Sequence, residues 1–154
     1  MADAAGFAWP LRPLQVRQTP QRTEVHDPLR RRWVVLTPEE FVRQQLVLHL
    51  TQGLGVPLQL MAIERGVRVL GRARRFDLVV YGRSGQPRLL AECKHPESRL
   101  GPEALHQAAQ YNSHVGASWL VVTTGVELWV YRQKFSAPGY QREPQLPPFD
   151  DWAL

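Results

Sequence analysis

The sequence predicts an α/β fold in which a central mixed sheet is flanked by helices. Two segments with helical periodicity are separated by three short runs rich in β-branched and aromatic residues, and two further runs follow the second helix. The predicted order is therefore helix, three strands, helix, strand, strand. A strand–helix–strand connection gives parallel strands and hairpins give antiparallel ones, so we expect a mixed sheet.

The segment before the first helix is predicted to be irregular. Residues 1–36 contain Pro10, Pro13, Pro20 and Pro28 and show little periodicity. We therefore interpret them as an N-terminal arm that leads into the first helix.

The first helix has a clear start signal at Thr37. Thr37 is suited to the N-cap, Pro38 to the first helical position, and Glu40 to closing a capping box with Thr37. Glycines at Gly53 and Gly55 are expected to end this helix.

The remaining elements follow at regular spacing. Strands are predicted at 58–64, 75–81, 88–94, 119–124 and 127–132, with the second helix at 102–114. These elements define a core at 37–134. The Pro-rich tail at 135–154 can be neither regular helix nor central strand, and its aromatic residues indicate that it packs on the core or docks a partner.

Composition bounds the function. A chain of 154 residues suits one domain, and no apolar run is long enough for a membrane span. Cys93 is the single cysteine, which excludes disulfide scaffolds and cysteine-rich zinc sites, and we expect a cytoplasmic protein. The net charge of +5 favours an anionic partner. All but Lys94 and Lys134 of the 19 basic residues are arginines, so the setting of Lys94 is of interest.

The strongest chemical signal lies in a predicted hairpin around Ser84 and Gly85. If the hairpin is symmetric about that turn, Asp77 lies directly opposite Glu92 on one face, and Lys94 follows two residues later on the same face. Opposed residues have Cβ atoms about 4.5–5.5 Å apart, and like charges placed so are destabilising. The pattern therefore indicates that a cation lies between the two carboxylates and offsets their repulsion.

Magnesium suits such a pair because it takes one or two protein carboxylates and leaves positions for water and phosphate oxygens. A bound Mg²⁺ could activate water against a phosphodiester, and Lys94 could position that water or offset developing charge. The alternative is that Asp77 and Glu92 are solvent-exposed strand residues and that Lys94 is their salt-bridge partner.

The motif Asp77…Glu92-Cys93-Lys94 resembles the PD-(D/E)xK motif, and the element order resembles the αβββαβ core of restriction-endonuclease-like nucleases. Segments 27–34, 36–40, 42–44, 90–96, 110–112 and 120–125 also resemble small proteins with a type I restriction enzyme R-subunit N-terminal domain. The resemblance covers about residues 27–132. It implies the restriction-endonuclease-like fold and a metal-dependent nuclease.

The resemblance also implies roles for individual residues. Asp77 and Glu92 would hold the metal and Lys94 would assist the attack. Gln107 and Tyr111 resemble the Gln-xxx-Tyr motif that orients the catalytic lysine and contacts DNA, although the two could also be a polar stripe on a surface helix.

A further acidic metal ligand is expected from either the first helix or the first strand. Glu40 is the helix candidate, although the capping box explains it without chemistry. Glu64, at the end of the first strand, is the other candidate.

A basic hairpin precedes Asp77. Its arginines Arg72, Arg74 and Arg75 are expected to contact a DNA backbone, because a basic loop beside a metal site is where phosphates would lie. The alternative is a solvated turn.

The expected function is hydrolysis of DNA phosphodiester bonds, as an endonuclease or exonuclease, with Mg²⁺ as cofactor and Mn²⁺ as a substitute. The expected partners are DNA, a second copy in a homodimer, and a separately encoded helicase or restriction subunit, because the chain carries no helicase motif. Two alternatives remain open. One is a non-catalytic DNA-binding or assembly module of the same fold, and the other is a protein-interaction domain whose charge is incidental.

Overall fold

The computed structural model describes residues 6–63, 66–69, 72–75 and 77–154, and for 66–69 and 72–75 it describes the backbone alone. In chain order the strands and helices are β1 (Val16–Gln18), β2 (Thr23–Asp27), β3 (Arg32–Val35), α1 (Pro38–Leu48), β4 (Met61–Ile63), β5 (Gly66–Val69), β6 (Arg72–Arg75), β7 (Leu78–Tyr81), β8 (Pro87–Cys93), α2 (Pro102–Val115), β9 (Trp119–Thr123), β10 (Leu128–Gln133) and β11 (Tyr140–Glu143).

The main sheet is mixed and six-stranded, in the order β11-β10-β9-β8-β7-β4. Strands β8 and β9 run parallel, joined through α2, and the other neighbours run antiparallel. The elements α1, β4, β7, β8, α2 and β9 follow the predicted order, with the hairpin β5–β6 inserted between the first two strands. The predicted α/β class is confirmed.

Apolar residues cover both faces of this sheet. On one face, Val42 and Leu46 of α1 pack with alternate strand residues such as Ala91 and Val121. On the other face, Ala104 and Ala108 of α2 pack with the intervening residues of the same strands. This alternation is expected for a sheet buried on both sides, and it fixes the register of each strand.

The prediction of an irregular N-terminal arm was wrong for residues 16–35. Strands β1, β2 and β3 form an antiparallel three-stranded sheet. All four prolines of the segment lie before or between these strands, where a missing N–H disrupts no ladder, so they do not prevent the sheet.

Two of the predicted strands begin later than expected. Residues Leu58–Leu60 form a 3-10 turn after Pro57, and β4 begins only at Met61. The predicted strand at 75–81 is divided, because Arg75 belongs to β6 while β7 begins at Leu78. Asp77 therefore lies in a bend just before its strand.

The start of α1 agrees with its N-cap signal but not with the full capping box. Thr37 Oγ1 accepts a hydrogen bond from the Glu40 backbone N–H at 3.1 Å. The Glu40 carboxylate does not close the box, because it binds Arg30, Arg43 and Gln44 instead. The helix continues as a π-helical turn, His49–Gly53.

The C-terminal residues pack into the core on the α1 side. Leu146, Phe149 and Trp152 are buried in the same cluster as α1. The Phe149 N–H donates to the Leu54 carbonyl at 2.8 Å, which ties this segment to the end of the first helix. Within the described residues, no helix has the length and apolarity that crossing a membrane requires.

Candidate active site

The β7–β8 hairpin sets the relation between Asp77 and Glu92. Its paired residues are Leu78 with Ala91 and Val79 with Leu90, so the same register continued by one step brings Asp77 opposite Glu92. A bulge interrupts the hairpin only at Tyr81, on the turn side. The predicted register is therefore confirmed up to the residue beside the two carboxylates.

Both carboxylate oxygens of Asp77 are held by the protein. Oδ2 accepts a hydrogen bond from the Cys93 backbone N–H at 2.6 Å, and Oδ1 accepts one from Arg43 Nη2 at 2.5 Å. These contacts fix the carboxylate at the carboxyl end of β8, beside the Glu92–Lys94 segment. Its remaining lone pairs stay available, because a carboxylate offers about four acceptor sites.

Glu92 has one bound and one unbound oxygen. Lys94 Nζ donates to Oε1 at 2.9 Å, whereas Oε2 is buried and has no hydrogen-bond partner among the described residues. Burial raises the pKa of Glu92, although the Lys94 ammonium opposes the shift. An unpaired buried carboxylate oxygen is costly and requires an explanation such as a bound cation.

Lys94 remains an ammonium at this position. Burial alone would lower its pKa, but the hydrogen bond to Glu92 and the charges of Glu92 and Asp77 outweigh burial and raise the pKa. The Lys94 backbone N–H also donates to the Thr123 carbonyl at 2.8 Å, which continues the β8–β9 pairing by one residue. A cation is thus fixed beside the two carboxylates.

An ion-pair network joins α1 to this site. Arg43 Nη1 donates to Glu40 Oε2, and its Nη2 reaches Asp77. Arg30 Nη2 donates to Glu40 Oε1 at 2.5 Å. Sequence reasoning missed Arg43, and its contact with Asp77 joins residues 34 positions apart, for which no local pattern exists.

A group of three carboxylates at one metal site is not found among the residues that the structure describes. Within the described residues, no group of three or more His, Cys, Asp or Glu side chains could hold a metal ion. Arg43 bridges Glu40 to Asp77, so Glu40 reaches the site through an arginine. Glu64 lies outside the described residues. Of the predicted metal ligands that the structure describes, Asp77 and Glu92 lie close enough for the Asp77 charge to contribute to the raised pKa of Glu92.

Helix α2 carries the remaining predicted site residues. Gln107 is exposed, and Tyr111, one turn later, is partly buried against the α2-side cluster. Tyr111 is close enough to contribute to the raised pKa of Lys94. Arg72, Arg74 and Arg75 lie on β6, opposite β5, and their side chains fall outside what the structure describes.

Comparison with known families shows which family the chain belongs to. The model of the family described as type I restriction enzyme R protein N terminus (HSDR_N) matches residues 38–147, which is more than half of the chain. The chain belongs to this family. A comparison with curated proteins found no significant match.

Membership of the type I restriction R protein N-terminus family confirms the resemblance to R-subunit N-terminal domains and relates the chain to restriction systems. The matched segment begins at the first residue of α1 and includes all of the strands from β4 to β11. It therefore contains Asp77, Glu92 and Lys94 together with Glu40 and Arg43.

Proposed function

We propose that this member of the R protein N-terminus family hydrolyses DNA phosphodiester bonds in a Mg²⁺-dependent reaction, with Mn²⁺ as a substitute. The observation that carries the proposal is the buried Oε2 of Glu92, which has no hydrogen-bond partner in the described part of the chain, beside the fixed carboxylate of Asp77. Two adjacent carboxylates with free acceptor positions match the ligand preference of Mg²⁺.

Each residue has a task in this proposal. Asp77 and Glu92 would hold the metal, which when bound supplies an activated water and charge stabilisation. The Lys94 ammonium, 2.9 Å from Glu92 Oε1, would orient the scissile phosphate and offset the negative charge that develops on it. The backbone N–H of Cys93 and the guanidinium of Arg43 hold the Asp77 carboxylate in position.

A second candidate function is a non-catalytic DNA-binding or assembly module. It is favoured by the ion pairs themselves, because Arg43 and Lys94 already balance the charges of Asp77 and Glu92 without a metal. In that case the network would be a structural feature, and DNA binding would be unaffected by divalent cations and by Asp77→Ala.

The deciding experiment incubates the purified protein with plasmid and with single-stranded DNA in Mg²⁺, Mn²⁺ or EDTA. We expect metal-dependent cleavage that Glu92→Gln and Lys94→Ala reduce by a factor of about 10² or more. Lys134→Ala is the matched control for Lys94→Ala, because Lys134 is the other lysine and lies exposed beyond β10.

The two candidates give different results. Cleavage that persists equally in all variants would reject the Asp77–Glu92–Lys94 site. DNA binding without cleavage, unchanged by EDTA and by Asp77→Ala, would establish the non-catalytic module.

A further inference from the structure

The turn between β2 and β3 is held in place by a buried carboxylate. Asp27 is fully buried, and its Oδ1 accepts a hydrogen bond from the Leu29 N–H at 2.8 Å. Its backbone carbonyl accepts another from the Arg31 N–H, also at 2.8 Å. The conformation of residues 28–31 is therefore set by contacts within the N-terminal sheet. These contacts fix the backbone positions from which the exposed side chains of the turn extend.

Ion pairs connect this turn to the candidate active site. Arg30 donates to both Asp27 and Glu40. Glu40 in turn binds Arg43, which reaches Asp77. A continuous chain of ion pairs therefore runs from the turn to the carboxylate proposed to hold the metal.

The next two arginines differ from the others of this sheet. Arg17 and Arg22 both pair with Glu24, at 2.8 and 2.9 Å. Arg31 and Arg32 are exposed, and among the described residues neither has an ion-pair or hydrogen-bonding side-chain partner. Two adjacent unpaired guanidinium groups repel each other. The stability of the fold therefore does not explain why both positions carry an arginine.

The backbone at Arg31 strengthens this argument. Its φ of 55° lies in the left-handed region, and among the described non-glycine residues only Arg31 has a positive φ. Glycine adopts this conformation without steric cost, whereas for an arginine it is disfavoured. A disfavoured backbone conformation at an arginine in a turn that ion pairs connect to the candidate active site favours a role for that side chain.

We propose that Arg31 and Arg32 form a binding site for the phosphates of a DNA backbone and guide the strand to Asp77, Glu92 and Lys94. Guanidinium groups bind phosphate oxygens through paired, charge-assisted hydrogen bonds. The proposal rests on the proposed function for its choice of DNA as ligand. It is independent of the arginines of β6.

The test measures binding of fluorescently labelled duplex and single-stranded DNA in EDTA, over a range of salt concentrations. We expect Arg31→Ala/Arg32→Ala to weaken binding at low salt by about tenfold or more. The slope of log K against log salt should fall by about 2, because two phosphate contacts are lost. The control Arg132→Ala/Lys134→Ala removes the same charge at the opposite end of the main sheet. Arg132 pairs with Trp119 at the start of β9, whereas the candidate site lies near Thr123 at its end. The control should change the slope much less.

Arg31→Gly separates binding from folding. Because glycine suits the observed φ, this variant should keep or raise the thermal midpoint while weakening DNA binding. A lower midpoint with unchanged DNA affinity would overturn the proposal and make Arg31 a structural residue.

The outcomes also separate this proposal from the nuclease. If the wild-type protein binds DNA through Arg31 and Arg32 but never cleaves it, the phosphate site is supported and the nuclease proposal is rejected. Metal-dependent cleavage, with the double variant binding DNA as tightly as its charge-matched control, would reject the phosphate site alone. A wild-type protein that binds neither DNA would overturn the phosphate site.

Discussion

At the scale of single residues, Arg43 determines the charge balance of the candidate site. Its guanidinium connects the carboxylates of Glu40 and Asp77, and its side chain is only 9% exposed. Burial alone would lower the pKa of Arg43, but the charge and hydrogen bond of Asp77 and the charge of Glu40 raise it. The arginine stays charged, so both carboxylates keep a partner in the absence of a metal.

Replacing Arg43 should therefore be costly for folding. We expect Arg43→Gln to lower the free energy of unfolding by about 3–5 kcal/mol, because it leaves the Asp77 carboxylate without its cation and leaves Glu40 with Arg30 alone. Equilibrium unfolding in urea measures the loss.

Arg83→Gln is the matched control for this measurement. Arg83 pairs with Asp150 at 2.5 Å, but the two side chains are 52% and 79% exposed. Its ion pair should contribute less than about 1 kcal/mol. Equal losses for the two variants would contradict the structural role assigned to Arg43.

The same residue marks the limit of what the sequence could predict about the site. Asp77, Glu92 and Lys94 could be grouped because a tight turn fixes hairpin register and strand alternation fixes the face. Arg43 could not, because helix packing brings it to Asp77 from a distant part of the chain. Glu40 was assigned to a capping box on local grounds, but its carboxylate pairs instead with Arg30 of the β2–β3 turn and with Arg43 of its own helix.

At the scale of elements, the sequence predicted the main sheet better than the N-terminal one. Strands β7 to β10 have strong apolar runs between clear turns, so their order and type could be predicted. The N-terminal sheet was missed because its prolines were interpreted as a sign of irregular structure. The run of aromatic and β-branched residues Trp33, Val34 and Val35 in β3 was the available signal.

The turn between β9 and β10 gives a prediction at this scale. Gly125 has a φ of 88°, and a Cβ built on it would lie 2.4 Å from Phe7 Cε1. The Phe7 ring has little freedom to move, because it packs edge-on against Trp9 and Phe41 with centroids 5.8 Å away. Gly125→Ala should lower the free energy of unfolding by about 2–4 kcal/mol, as the sum of backbone strain and overpacking.

Gly116→Ala isolates the packing part of that loss. Gly116 ends α2 with a φ of 79°, and a Cβ there would meet no atom within 4 Å. It should cost only the conformational part, about 1 kcal/mol. If the two alanine variants unfold at the same urea concentration, the N-terminal segment does not pack against this turn.

At the scale of the whole molecule, both ends of the described chain close the core on the α1 side. Trp9 near one end, and Phe149 and Trp152 near the other, are buried in the cluster that contains Leu46 and Leu50 of the first helix and its π-helical turn. The sheet face behind α1 is therefore completed by segments outside the α/β elements. Substitutions at the contact between these segments and α1 should therefore change the free energy of unfolding of the whole protein.

His49 makes such a contact and links global stability to pH. Its ring stacks on Trp9 with centroids 5.4 Å apart, and its Nδ1 is buried without a hydrogen-bond partner among the described residues. Burial lowers the pKa of His49, and the nearby Arg12 charge acts in the same direction. The folded state therefore binds the proton less readily than the unfolded chain.

The sign of the pH dependence follows from this shift. Above about pH 6.5, the ordinary pKa of histidine, both states are neutral at this residue and its full contribution is present. As the pH falls below that value, the unfolded chain takes up the proton first, and the free energy of unfolding decreases with a slope of at most about 1.4 kcal/mol per pH unit. We expect urea unfolding at pH 7.5 and 5.5 to show a loss of stability that His49→Gln, which cannot titrate, reduces. Because the other titrating groups are common to both proteins, an equal loss in wild type and variant would mean that His49 accepts a proton as readily in the folded core as in the unfolded chain.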